Sequence, residues 1–151
     1  MRVVIGADES LPVAVAVVAL VRELGHACVC VGPLADNAIE WAQVAAEVGR
    51  RVGSGDADWG VVMCWSGTGV AIAANKVPGV RAALCVDAET ARQARRYNHA
   101  NVLALSMRLT SIAIAAEIVR AFDQEPYGRE EFDLRNVAQV VALEAARGRN
   151  D

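Results

Sequence analysis

Residues 60–76 read GVVMCWSGTGVAIAANK. The apolar run Val61 to Met63 delivers Cys64, Ser66 and Thr68 to a turn holding Gly67 and Gly69, and the small residues Val70 to Asn75 predict a short helix after it. This is a strand, a glycine turn and a helix. Glycine permits positive φ and close backbone approach, while unpaired N–H groups at a helix start face an incoming anion. Three nucleotide or phosphate motifs fail on inspection. A P-loop needs Gly-Lys followed by Ser or Thr, which occurs nowhere; a dinucleotide GxGxxG would need glycine where Ile72 stands; a cysteine-phosphatase loop would need arginine at Val70. The turn therefore favours an oxyanion or enolate over a nucleotide. The plainer alternative is an ordinary glycine connection of an α/β protein.

Outward from this stretch, strand and helix signals alternate. RVVIGAD (strand) precedes a helix over Leu11–Leu24, then come ACVCVG (strand) and a helix over Asp36–Val52 capped by Asp36 or Asn37. WGVVMC and the short helix lead to VRAALCV (strand), a helix over Ala88–Tyr97, NVLALS (strand) and a helix over Ser111–Phe122. Apolar, β-branched strands that barely alternate predict a five-stranded parallel sheet covered on both faces, within one domain over residues 1–151. A last helix, about 127–147, carries Phe132, Leu134, Val137, Val140, Val141 and Leu143 at helical spacing, suited to a partner subunit or to its own sheet.

Composition bounds the partners. The 151 residues are 54% hydrophobic and 22% charged with a net charge of -3, and Lys76 is the single lysine, which argues against a nucleic-acid surface. The longest apolar stretch, Leu11 to Val21, is too short for a membrane span, and the start MRVVIGADES lacks a signal-peptide pattern, so a cytoplasmic protein is expected. Cys28, Cys30, Cys64 and Cys85 fit neither a zinc pattern nor a disulfide framework; Cys28 and Cys30 share one face of a strand.

In a parallel sheet the loops after the strands meet at one rim. That rim would gather Asp8, Glu9 and Ser10, the CWSGTG turn, Asp87, and Ser106 to Thr110. A carboxylate, a thiol and clustered N–H donors suit proton transfer beside a carbonyl, where an enediolate must be stabilised. The competing readings are a core thiol for Cys64 and a helix cap for Asp8.

Several longer motifs resemble the ribose-5-phosphate isomerase B and galactose-6-phosphate isomerase family over nearly the whole chain. They are GADESL (the family's GCDHAG), CWSGTGVAIAANK (CGTGxG to AANK), GVRAALC (GxRAALC), YNHANVL (HNDANVL) and SMRLTS (GxRxxG). The resemblance implies a three-layer α/β Rossmann-like fold and a homodimer, or a larger assembly such as a tetramer, with active sites at the interface. It implies no metal or nucleotide cofactor, and conversion of aldose and ketose phosphates through an enediolate. Cys64 would be the base, Ser66 and the amides of Gly67, Thr68, Gly69 and Val70 would hold the enediolate oxygen, and Asp8 would contact the sugar. Asn98 would bind substrate and Arg108 the phosphate; the glutamate base of another branch is Val70 here.

The departures alter the substrate shell. The family's histidine after Asp8 is Glu9, its ring-opening histidine is Tyr97 with His99 two residues on, and a glycine of the turn is Trp65. The tail motif is absent as such, leaving Arg129 and Arg135 as phosphate candidates. An open-chain substrate such as a tetrose phosphate would not need the lost histidine. A non-catalytic sugar-phosphate binding protein and a subunit of a hetero-oligomer are the alternatives.

Overall fold

The computed structural model describes residues 1–147. Strands β1 (Arg2–Ala7), β2 (Ala27–Val31), β3 (Trp59–Cys64), β4 (Ala82–Leu84) and β5 (Val102–Ser106) form one parallel sheet in the order β2-β1-β3-β5-β4. The helices are α1 (Pro12–Glu23), α2 (Trp41–Gly53), α3 (Thr68–Ala74), α4 (Ala88–Asn98), α5 (Ile112–Gln124) and α6 (Glu131–Arg147). The α/β fold with a five-stranded parallel sheet is the one the alternation predicts.

All six residues of β3 and all five of β5 are buried, because helices cover both faces. On one face α1, α4 and α5 pack around Trp59, Met63, Leu103, Leu105 and Phe122; on the other α2 and α3 pack over Val4, Val62, Val102 and Ala104. Each fully buried Val, Leu or Ile contributes about 1.5–3 kcal/mol. β2 is an edge strand in which Cys28 and Cys30 turn together toward the first core, and burial, with Cys30 adjacent, pushes the Cys28 thiol up to about 11. Burial, reinforced by Asp87, pushes Cys85 up to about 12. Neither thiol ionises near neutrality.

Several boundaries differ from expectation. α2 begins at Trp41 and not at Asp36: Gly32–Ala35 form a 3-10 turn that Asp36 closes in the left-handed region (φ 55°), and Glu40 caps α2 in a reciprocal box with Gln43. α3 starts earlier, at Thr68, because Gly67 at φ 76° turns the chain directly into it. β4 keeps only three residues of VRAALCV because it pairs with β5 alone. α6 starts at Glu131, since residues 127–130 lie along the end of α4 with Gly128 N–H donating to the Arg96 carbonyl (2.9 Å).

The open edge of β4 is closed by a side chain. Asn75 Nδ2 donates to the Ala82 carbonyl and Asn75 Oδ1 accepts from Ala82 N–H, both at 2.8 Å, so one amide imitates a neighbouring strand.

Opposite crossovers leave β1 and β3: the chain passes through α1 to β2 on one side and through α3 to β4 on the other. The crevice between their carboxyl ends is the topological switch point, where open α/β sheets bind ligands. α4 descends from that rim for 11 residues, or about 16 Å, so its last residues reach the opposite edge of the sheet.

Candidate active site

Cys64 ends β3 with its side chain buried, and its Sγ accepts the Gly67 N–H at 3.2 Å. Gly67 could be no other residue. A Cβ there would lie 2.8 Å from the Leu105 carbonyl carbon, 2.9 Å from Ser106 N and 2.6 Å from Leu84 Cδ1, at a φ of 76°. Ser66 and Thr68 are exposed, with their hydroxyls 2.7 Å apart. The Val70 side chain is fully buried in the core, so this position offers the site only its backbone amide.

Asp8 follows β1 across the crevice, its N–H donating to the Met63 carbonyl at 3.4 Å. It does not cap α1, whose N-cap is Leu11 without any side-chain bond. Its Oδ1 is buried and has no hydrogen-bond partner. Burial raises the carboxyl above its ordinary range; a backbone hydrogen bond opposes this, and the charges of Glu9 and Glu40 reinforce it. Beside the turn lies a cavity of about 320 Å³ lined by Asp8, Glu9, Ile39, Glu40 and Trp41, and the Trp41 ring covers Gly69 so closely that a Cβ on this glycine would meet the ring at 3.1 Å. Trp65, in the turn itself, is 55% exposed. Arg108, on the loop after β5, is exposed and makes no ion pair among the described residues, while its N–H donates to the Trp65 carbonyl at 3.1 Å.

The fold thus unites Asp8, Glu9, Cys64, Trp65, Ser66, Gly67, Thr68, Gly69, Val70 and Arg108 at one rim. The sequence profile of the Ribose/Galactose Isomerase family matches residues 3–140. The chain belongs to that family. This isomerase is 32% identical over 133 residues to ribose-5-phosphate isomerase B of Escherichia coli, covering 87% of each chain. It is 38% identical over 90 residues to D-erythrulose-4-phosphate isomerase of Pectobacterium atrosepticum, covering 60% of this chain and 59% of that one. The solved type B ribose 5-phosphate isomerase of Trypanosoma brucei superposes with a TM-score of 0.88 at 41% identity, covering 94% of this chain and 97% of that one.

A second set of candidates lies elsewhere on the isomerase. Tyr97 and Asn98 end α4 at the far edge of the sheet, both exposed, where with Phe132, Asn136, Val140 and Leu143 they line a cavity of about 580 Å³. His99 stacks on Tyr127 at 4.5 Å, and its Nε2 lies 3.0 Å from the Gly128 carbonyl, which it donates to. Arg129 is exposed next to this clamp, and Arg135 on α6 is paired with Glu131. One chain does not bring these residues to Cys64. Among the described residues no cluster of three His, Cys, Asp or Glu side chains is placed to hold a metal, and no helix is long and apolar enough to cross a membrane.

Sequence reasoning gave no role to Ser106, Glu40 or Trp41. Glu40 and Trp41 belong to no recognisable motif, and Ser106, though expected at the rim, is one serine at a strand end. Its Oγ donates to the Trp65 carbonyl (2.8 Å), 41 residues away in the chain.

Proposed function

We propose that the whole chain acts as one aldose–ketose isomerase domain for a sugar phosphate, with Cys64 as the base. The observation that carries this is the Cys64 sulfur held under the Gly67 N–H at the switch point, at the end of the strand paired with the one that delivers Asp8. The Cys64 thiolate takes the proton from the carbon beside the substrate carbonyl, and the C–H electron pair forms the C=C bond as the carbonyl π electrons move onto oxygen. Ser66 and the amides of Gly67 to Val70 stabilise the resulting enediolate. The thiol returns the proton to the former carbonyl carbon while the proton of the neighbouring hydroxyl passes to the enediolate oxygen, so that the neighbouring carbon becomes the new carbonyl and the overall oxidation state is unchanged. Asp8, carrying an unpartnered oxygen, takes a sugar hydroxyl, and Arg108 meets the phosphate.

The rest of the substrate shell comes, in this reading, from a second copy. Tyr97, Asn98, Arg129 and Arg135 sit at the opposite edge of the same sheet, so a homodimer that sets one copy's α4 end against the other's turn completes the site. Exposed Trp65 (55%), Val86 (63%) and Leu109 (74%) on the rim, with Phe132 (67%) and Leu143 (69%) on α6, supply apolar surface for that contact. His99 is held by Gly128 and Tyr127, which leaves Tyr97 as the proton donor near the sugar. A phenol is a weaker acid than an imidazolium for ring opening. Glu9 and Glu40 add negative charge beside Asp8. Both features favour a short open-chain substrate, a tetrose phosphate, and the similarity to D-erythrulose-4-phosphate isomerase supports that choice.

The test is a panel of four- to six-carbon aldose and ketose phosphates in deuterated water, read by NMR for deuterium at C1 or C2. Incorporation with one tetrose phosphate, abolished in Cys64→Ala, is expected. Equal or faster exchange with ribose 5-phosphate would remove the substrate assignment, and exchange persisting in Cys64→Ala would remove the base.

A further inference from the structure

The backbone between Cys64 and Gly67 is fastened to β5 and the loop after it. The Cys64 carbonyl accepts Met107 N–H at 2.9 Å, and the Trp65 carbonyl accepts both Arg108 N–H (3.1 Å) and the Ser106 hydroxyl (2.8 Å). The hydroxyl is itself oriented, because Ser106 Oγ accepts Leu109 N–H at 3.2 Å. Ser106 is 4% exposed, so water does not compete for these bonds.

A trans peptide points its C=O and N–H in opposite directions. Among the described residues there is no cis peptide bond. Drawing the Trp65 carbonyl toward β5 therefore aims the Ser66 N–H away from β5, toward the β1 side of β3, where Asp8 and the crevice lie. The same anchor fixes the start of the segment whose far end returns Gly67 N–H to the Cys64 sulfur.

We propose that Ser106 is a positioning residue for the isomerase reaction: its hydroxyl orients the 65–66 peptide, and so sets both the direction of the Ser66 amide and the hold on the Cys64 sulfur. This rests on the reading that the turn carries the reacting thiol. It adds a residue that touches neither the substrate nor the sulfur, and gives a serine at this strand end a task that a glycine, found there in the GxRxxG pattern, could not perform. Trp65 and Ser106 both stand at positions where the resembling motifs have glycine, and the structure joins them by a hydrogen bond.

Two readouts test it. The first is the rate of Cys64 alkylation by iodoacetamide at fixed pH, followed by mass spectrometry on the Cys64 peptide, which needs no substrate. Ser106→Ala is expected to slow it by about tenfold, and Ser106→Thr, which keeps the hydroxyl, to restore it. The second is steady-state kinetics on whichever sugar phosphate exchanges deuterium: kcat should fall about tenfold in Ser106→Ala while KM changes less than about twofold. Ser106→Gly, measured beside Ser106→Ala, should behave alike, so that a folding defect in one does not leave the other unread. Alkylation unchanged in the hydroxyl-free variants, or Ser106→Thr as impaired as Ser106→Ala, overturns the proposal. Loss of alkylation rate without any isomerase activity would uphold the positioning role and count against the proposed reaction instead.

Discussion

Asp8 holds a charge at a cost to the fold. Its carboxyl is raised by burial, with Glu9 and Glu40 adding to it, so folding favours the protonated form. That stabilising contribution is complete below the ordinary carboxylate pKa and is lost as pH rises through the raised value in the folded protein. At pH 8 the wild type carries the whole penalty. Asp8→Asn is therefore expected to melt higher than wild type at pH 8, by on the order of 1–2 °C, with the gap narrowing as pH falls through the raised value, while its turnover falls. A lower melting temperature at pH 8 would show that the carboxylate is satisfied in a way its unpartnered Oδ1 does not suggest. The residues of this site were legible to different degrees. Cys64, Ser66 and the two glycines announced themselves because the turn's chemistry is contiguous in sequence. Ser106 did not, since its function depends on a partner that only the β3–β5 pairing brings near.

At the scale of single elements, the edge strand β4 is the weak point. It is three residues long and pairs only with β5, and the Asn75 side chain satisfies both backbone groups of Ala82. Asn75→Ala leaves two strand groups open, which should cost about 1–2 kcal/mol and lower the denaturation midpoint without changing the slope. It should also promote association through the bared edge, visible as concentration-dependent light scattering. Elements were read from sequence where apolar runs were uninterrupted, as in β1, β3 and β5. They were misread where local chemistry offered two answers. Asp36 and Asn37 are good helix caps by type, yet Asp36 is used for its tolerance of left-handed backbone, and the cap of α2 is Glu40, a residue whose capping depends on Gln43.

For the whole molecule, the separation of the two candidate groups decides what an experiment on mixtures should show. Cys64→Ala and Tyr97→Phe each remove one half of the proposed shared site. If each site takes Cys64 from one copy and Tyr97 from the other, mixed dimers contain one intact site, and random assembly should raise activity above that of either variant alone, to about a quarter of wild type where both variants are inactive. No recovery from chains shown to exchange subunits would place all the chemistry within one copy. The parallel sheet and the rim that gathers its loops followed from alternation alone. The opposed placement of Tyr97 did not, because it depends on α4 running the full depth of the sheet.

The three tryptophans divide along the same axis. Trp59 is 1% exposed at the start of β3, whereas Trp41 (43%) and Trp65 (55%) stand by the turn at its end. The native protein therefore carries its own optical probes: emission from the outer two indoles should respond to a ligand entering the crevice, while Trp59, packed against Phe122, reports whether the interior stays intact. With Trp59→Phe as the background, affinities for candidate sugars become measurable by titration without a dye, a coupled assay or turnover.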